Sequence, residues 1–550
     1  MEINACINNA ISQLLKYQRD DGRFEGDFSS NTFPTCAYVL VQKALGLEID
    51  DDIIKWFSNS QNKAGYWGLD ASGGSDKEAT MFAKLALMDI DRSDVRSILS
   101  KIPDITSNLW IIKLLYARSG QIPWSKVNAP KLLSFVIGLL ERLKSFIPNP
   151  LLSRLKPPQK YAPPVNLFYT NTFKNMFIAE RYTLAPLFLI MELNNEKRAE
   201  VIKDLVNYLL ENRWSDGSWF RVGLITELSI LALIDARNAG YQNDEVERAI
   251  QEGNNWLKQL RSNDGGCREA LNLNVWDTVL SVIALERSAP GKYVSEITKA
   301  CEWLMKNQND DGGWAFSGMP GGKFISDADD TALAIYALLR WGINRESESI
   351  KNGLKWLRQH QSADGGWSAY RPGLGDVNCV SVTSHAIWAL LEAGGHSDEV
   401  QRAVKWIRGC IHDDGYWSDL WLARKTYGTS CAISALIKAG YSECNEVKRG
   451  VHWLKKIQNP DGGWGENING ERTSSTIEQT AWSTSALLLY DKNDTSAIDG
   501  IAYLIRNQNQ DGSWNASCVG IYWDVIGGYI DTIYPYAFGL MALSEYSQKE

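Results

Sequence analysis

Apolar residues recur along the chain in two alternating helical patterns. Segments of the first kind end in an Ala-Leu pair, at Ala232-Leu233, Ala284-Leu285, Ala337-Leu338, Ala389-Leu390, Ala435-Leu436, Ala486-Leu487 and Ala542-Leu543. They are apolar nearly all round, which predicts helices buried on both sides. Segments of the second kind, such as 299–306 and 353–360, are apolar on one face and predict half-exposed helices. Alternation over many units predicts an all-α fold in which a closed ring of inner helices lies inside a ring of outer ones, an α/α-barrel.

Each unit, about fifty residues long, also carries a loop with a fixed order of residue types. It reads Gln308…Gly312-Gly313-Trp314, Gln361…Gly365-Gly366-Trp367, Gln458…Gly462-Gly463-Trp464 and Gln508…Gly512-Ser513-Trp514. Ile411…Gly415-Tyr416-Trp417 keeps the spacing without the Gln, and earlier copies are Gln61…Trp67, Asn212…Trp219 and Gln18…Phe24. A Gln amide can bond free backbone groups at helix ends while a Trp ring stacks over it, so these loops are expected to staple one outer helix to the next. The repeats break between Trp124 and about Asn212, where Pro148, Pro150, Pro157, Pro158, Pro163 and Pro164 gather. There Lys131, Arg142, Lys144, Arg154, Lys156 and Lys160 alternate with apolar residues, a basic amphipathic excursion near 125–165. It suits either docking on an anionic surface or a lid packed on the protein.

One stretch stands apart as chemistry. Asp327-Ala328-Asp329-Asp330-Thr331 sets three carboxylates at the start of an apolar helical run. Carboxylates so crowded cannot all ionise cheaply, so one is expected to keep its proton near neutral pH. The same pattern also suits a solvated helix start, because Asp is favoured at N-caps and in first turns.

Composition narrows the field. A chain of 550 residues can bury two or three cores, and its net charge of -8 disfavours duplex nucleic acid as a partner. Its 22 Trp fall mostly in the repeats, which assigns most of them to structure. Nine cysteines without a CxxC pair indicate neither a disulfide framework nor a zinc ribbon, and fit a reducing cytoplasm. No run approaches the roughly 20 apolar residues that span a bilayer, so an integral membrane protein is not expected.

The repeated Gln-x(3)-Gly-x-Trp loops, together with the Asp-x-Asp-Asp-Thr-Ala helix start, resemble the squalene–hopene cyclase family of class II terpene cyclases. The resemblance implies two α/α-barrels with a substrate cavity between them: residues 1–24 as the first helix of a catalytic barrel, 25–271 as an inserted second barrel, and 272–550 as the catalytic barrel. It implies Asp329 as proton donor, flanked by Asp327 and Asp330. Val382-Thr383-Ser384-His385 matches the run whose His hydrogen-bonds the donor, although a lone His is more often a core residue. Trp276, Tyr370, Trp421, Tyr427, Trp523 and Tyr534 match cavity aromatics, although for each taken singly core packing is the commoner role. Asp531 sits where the family has a cavity tyrosine. Thr35, Ala37 and Phe82 replace glutamates that help organise the terminating water in members that make hopene.

The implied activity is cyclisation of a linear polyprenyl chain, isomerase or lyase chemistry, with no cofactor unless a prenyl diphosphate substrate brings magnesium. Partners expected are the polyprenyl substrate and, for a cytoplasmic protein, peripheral contact with the inner membrane face. Missing glutamates imply a shorter cascade ended by proton loss, with Asp531 and Glu227 as candidate bases; their alternatives are a helix-end cap and a barrel salt bridge. Two rival readings are a zinc-dependent protein prenyltransferase β-subunit, with Asp376, Cys379 and His385 as ligands at imperfect spacing, and a non-catalytic lipid-binding toroid.

Overall fold

The computed structural model describes residues 3–69, 74–128, 161–319, 323–370, 377–522 and 527–547. The basic excursion from Lys131 to Lys160 lies outside them. The chain divides into two units, one formed by the residues up to Phe28 with those from Asn272 onward, the other by Ser29–Leu271.

In the first unit, helices Asn274–Ser288, Ala328–Arg340, Val380–Glu392, Thr426–Lys438, Ile477–Tyr490 and Tyr534–Ser547 each pack on the next, and the last packs on the first. This closed ring contains the Ala-Leu pairs from Ala284-Leu285 onward, and its apolar all-round pattern follows from burial on both sides. Helices Val294–Lys306, Glu348–Gln359, Asp398–Gly409, Asn445–Ile457 and Thr495–Arg506 form the outer layer, and Ile3–Leu14 takes the remaining outer place against Tyr534–Ser547. In the second unit a ring of Thr32–Ala44, Lys77–Leu87, Trp110–Arg118, Ile178–Asn194 and Gly223–Asn238 closes in the same way. Among the described residues strands are confined to two antiparallel pairs, Trp464–Glu466 with Arg472–Thr476 and Cys518–Ile521 with Gly528–Ile530. All nine cysteines are free thiols, and among the described residues no helix is long and apolar enough to cross a membrane.

The loops are staples, and their hydrogen bonds show how. Gln308 Nε2 donates to Gly312 O at 2.7 Å within its own loop and to Ser349 O at 2.9 Å in the first turn of the next outer helix. Gln361 and Gln458 repeat this with Glu399 O at 2.9 Å and Ser496 O at 2.8 Å. Each Trp makes the complementary bond backwards: Nε1 of Trp314, Trp367, Trp417 and Trp464 donates to the carbonyl of Leu304, Leu357, Ile407 and Leu454, at the end of the preceding outer helix. Carbonyls of the last helical turns, of which Leu304, Leu357 and Ile407 also accept a backbone N–H of the turn, are thereby given a side-chain donor in the interior. Gly353 and Gly450 in the following outer helices have no room for a Cβ, which would meet the Trp314 and Trp417 rings at 2.8 and 2.7 Å.

A third member of the staple is a threonine in the inner helix. Thr331, Thr383, Thr429 and Thr480 each accept the backbone N–H of their loop Trp through Oγ1 at 2.8 to 3.0 Å. Thr80 and Thr226 do the same for Trp67 and Trp219. The threonine locks the rotational register of each inner helix to its loop, and so decides which side chains face the ring centre. Trp367 is fully buried, so Trp367→Ala is expected to destabilise the first unit by about 4 kcal/mol, the usual cost of emptying a Trp site. Gln361→Ala should cost about 1 kcal/mol, the net worth of ordinary hydrogen bonds. Denaturant midpoints of the two variants check the ranking.

Candidate active site

Asp327 caps the inner helix Ala328–Arg340. Its backbone is extended, its N–H donates to Trp314 O at 2.8 Å, and its Oδ1 accepts from Asp330 N at 2.8 Å. Ala328 N donates to Ala369 O at 2.6 Å, so two staple loops hold this turn. The helix start is thus a real N-cap, but not a solvated one: Asp327 and Asp330 are each 4 % exposed and Asp329 8 %.

Asp329 lies two residues before Thr331, and His385 two residues after Thr383. Positions two before and two after a given residue are four apart and share one helix face. The threonine register therefore turns both toward the ring centre, where His385 Nδ1 meets Asp329 Oδ1 at 2.5 Å. The other imidazole nitrogen faces Tyr427 OH at 3.4 Å and Cys431 Sγ at 3.9 Å.

Asp327 Oδ2 and Asp330 Oδ1 have no donor, while their carboxyls lie within hydrogen-bond reach of each other. One proton shared between the two satisfies both. Burial pushes Asp327 up to about 8, and pushes Asp330 well above the carboxylate range with the charges of Asp327, Asp329 and Asp277 adding to it. Anionic forms are costly here chiefly because the carboxyls are buried, with the crowding read from the sequence motif adding to that cost.

Aromatic side chains, buried except for the half-buried Trp388, surround the pair. Trp276 and Tyr427 have ring centres 6.2 and 6.3 Å from His385, and Trp388 lies 4.8 Å away. Tyr427 continues edge-on to Trp482 at 4.9 Å, Trp482 to Phe538 at 5.3 Å, and Phe538 to Tyr534 at 5.7 Å. Tyr534 OH meets Tyr529 OH at 2.9 Å. Trp482, Phe538 and Tyr529 escaped the sequence reading. Trp482 could have been found, since it lies two residues after Thr480, as His385 does after Thr383.

Tyr370 is buried, and its ring centre lies 6.4 Å from that of Phe324. Trp421 is half-buried and its carbonyl accepts from Ile521 N at 2.8 Å. Trp523 lies outside the described residues. Asp531 is fully buried, with Oδ1 accepting from Ile533 N at 2.8 Å immediately before the helix Tyr534–Ser547, the helix-end cap of its alternative reading. Glu227 lies in the second unit with neither oxygen hydrogen-bonded among the described residues, and is pushed well up by burial and the Glu269 charge. Thr35 Oγ1 accepts from Cys267 N at 2.9 Å, and Phe82 packs edge-on to Phe33 at 5.3 Å. These two positions, with buried Ala37, are occupied by packing and backbone bonds.

The zinc reading finds no support in these contacts. Cys379 Sγ donates to Asp419 Oδ2 at 3.2 Å, His385 Nδ1 is engaged with Asp329, and Asp376 lies outside the described residues. Among the described residues no group of three or more His, Cys, Asp or Glu side chains is arranged to hold a metal ion.

Residues 273–548 match the squalene–hopene cyclase C-terminal domain and residues 7–94 the N-terminal domain of the same family. Squalene–hopene cyclase of Alicyclobacillus acidocaldarius is 28 % identical over 98 % of this chain and 97 % of its own. Sporulenol synthase of Bacillus subtilis is 30 % identical over 62 % of this chain and 59 % of its own. The structure of ent-copalyl diphosphate synthase from Streptomyces platensis covers 99 % of both chains with a TM-score of 0.62 at 17 % identity, which shows a shared fold. The chain belongs to the squalene–hopene cyclase family of class II terpene cyclases.

Proposed function

We propose that Asp329 protonates the terminal alkene or epoxide of a folded polyprenyl chain and so starts its cyclisation. The observation that carries this reading is the 2.5 Å contact between Asp329 and His385 at the centre of a buried aromatic cluster. The π electrons of the alkene take the proton from the carboxyl and leave a tertiary cation. His385 Nδ1–H then donates to the carboxylate left on Asp329, which favours its departure. Successive alkenes attack the cation, each closure passing the charge onward until a proton is lost or water adds.

Trp276, Tyr427, Trp482 and Phe538 present π faces and edges without a strong nucleophile. They can stabilise a passing cation without being alkylated by it. A dry site also protects the intermediates from capture. Asp327 acts on this chemistry as a cap, since its bond to Asp330 N fixes the turn that carries Asp329.

Substrate and product follow from the departures. With Thr35, Ala37 and Phe82 in place of the family's glutamates, the groups that hold a terminating water for a long cascade are missing. The proposed reaction is a shorter cascade ended by proton loss, on a smaller or head-bearing prenyl chain. Magnesium enters only if that head is a diphosphate. Incubation with squalene, a prenyl diphosphate and a prenylated aromatic acid, followed by mass spectrometry, is expected to give cyclised, mass-neutral products with fewer rings than hopene. Hopene from squalene as the main product would overturn this substrate reading while leaving Asp329 as the donor.

A further inference from the structure

Behind the Asp327–Asp330 pair lies a second pair of carboxyls that the mechanism above does not use. Asp277, in the first turn of Asn274–Ser288, accepts from Gly26 N at 2.8 Å through Oδ2. Asp531, at the end of the strand Gly528–Ile530, accepts from Ile533 N at 2.8 Å through Oδ1. Both side chains are fully buried. Their remaining oxygens, Asp277 Oδ1 and Asp531 Oδ2, have no donor, and the two carboxyls lie within hydrogen-bond reach of each other. Two facing acceptors with no donor are satisfied together only by a proton held between them. Asp277 also acts through its charge on Asp330, which neighbours the donor in sequence.

We propose that Asp531 is a positioning residue for the proton donor: by sharing one proton with Asp277 it keeps a second negative charge from forming behind Asp330, and releasing that proton weakens the acid. The inference rests on Asp329 being the donor. Its physical content is Coulombic. Turnover requires Asp329 to become a carboxylate, and every further anion in this low-dielectric cluster opposes that step. A neutral side chain at this position would carry no charge over the same pH range, whereas an aspartic acid responds to it. Burial raises Asp531 to about 7 and raises Asp277 well above the carboxylate range, each with the other's carboxyl in play. The other groups facing the pair are Glu25 and Asp27 from the segment before Phe28, Asp330, Tyr17, and the phenols Tyr529 and Tyr534. Arg23, bonded to Glu25 at 3.1 Å, is a neighbouring cation.

Asp531→Asn tests this, because the carboxamide can donate to Asp277 at every pH but cannot titrate. The alkaline midpoint of the kcat–pH profile is expected to move up by about one pH unit or more relative to the unsubstituted protein, a tenfold change in the proton equilibrium per unit. Asp327 and Asp330 titrate in both proteins, so the difference isolates the pair. Stability reports the same proton without substrate. A carboxyl whose folded value is raised contributes stability that is full below its unfolded value, near 4, and is lost as pH rises through its folded value, here about 7 for Asp531. The fall in unfolding temperature between pH 5 and pH 8 should therefore be smaller in the variant, and its infrared spectrum should lack one titrating protonated-carboxyl band.

Gly26→Ala offers a second route, since a Cβ there would strike Asp531 Oδ1 and displace it from Asp277. It should move the alkaline midpoint as well. Superimposable kcat–pH profiles for either folded variant, or an unchanged infrared titration in Asp531→Asn, overturn the proposal. Cyclisation by Asp329→Asn would instead overturn the donor reading, with the infrared result still deciding whether the proton is shared.

Discussion

Asp329→Asn is expected to yield a folded protein without measurable cyclisation. The substitution is nearly isosteric, and the amide can still meet His385, so the inner ring loses no packing. It cannot give a proton to an alkene. General acids contribute about two to four orders of magnitude where water can substitute for them. Here the reacting group is a far weaker base than those of ordinary acid catalysis, so the loss should lie at or beyond the upper end of that range. The measurement is product formation by mass spectrometry, beside circular dichroism and unfolding temperature for the fold. Turnover within tenfold of the unsubstituted protein in a variant that folds normally would remove Asp329 from the donor role.

His385→Ala should slow turnover by about a hundredfold and leave the product unchanged. A hydrogen bond to a charged group is worth about 1.5–3 kcal/mol, and each 1.4 kcal/mol is a factor of ten in rate. That bond forms fully only when Asp329 becomes a carboxylate, so the loss should fall on kcat. Later cations do not depend on it, which is why the ring pattern should survive. The variant also leaves a small hole beside Tyr427 and Trp388, and some loss of unfolding temperature is expected with it. A different product mixture at undiminished rate would show that His385 shapes the cavity and does not serve the acid.

Why Asp329 and His385 are legible in the sequence, and Asp277–Asp531 is not, has a physical reason. The first two belong to local runs, Asp327 to Thr331 and Val382 to His385, the one crowding three carboxylates into a single helix start and the other setting an imidazole inside an apolar helix. The ring itself is legible because a helix buried on both sides must be apolar all round, a property written in consecutive residues. The Asp277–Asp531 contact joins positions far apart in the chain, and each aspartate alone looks like a helix-start residue. Trp482 is an intermediate case. Its place follows from the threonine register, but that register becomes meaningful only once Thr331, Thr383, Thr429 and Thr480 are seen bonding the same atom of successive tryptophans. The second unit is read less fully, because its ring is built from Trp110–Arg118 and Ile178–Asn194 without the complete loop grammar beside each.

The last joint of the first ring has a consequence for how the protein is made. Gln508 Nε2 donates to Cys6 O at 3.0 Å, across 502 positions of sequence, and Ile3–Leu14 finds its packing surface on the final helix Tyr534–Ser547. At ribosomal rates of about 5–20 residues per second, the first helix waits roughly 25–100 seconds for the partner that covers it. Ser29–Leu271 is an uninterrupted stretch and can close its own ring during that interval. Over that interval the nascent chain carries the greasy stripe of Cys6, Ile7, Ala10, Ile11 and Leu14 without its main cover, a natural landing place for a chaperone.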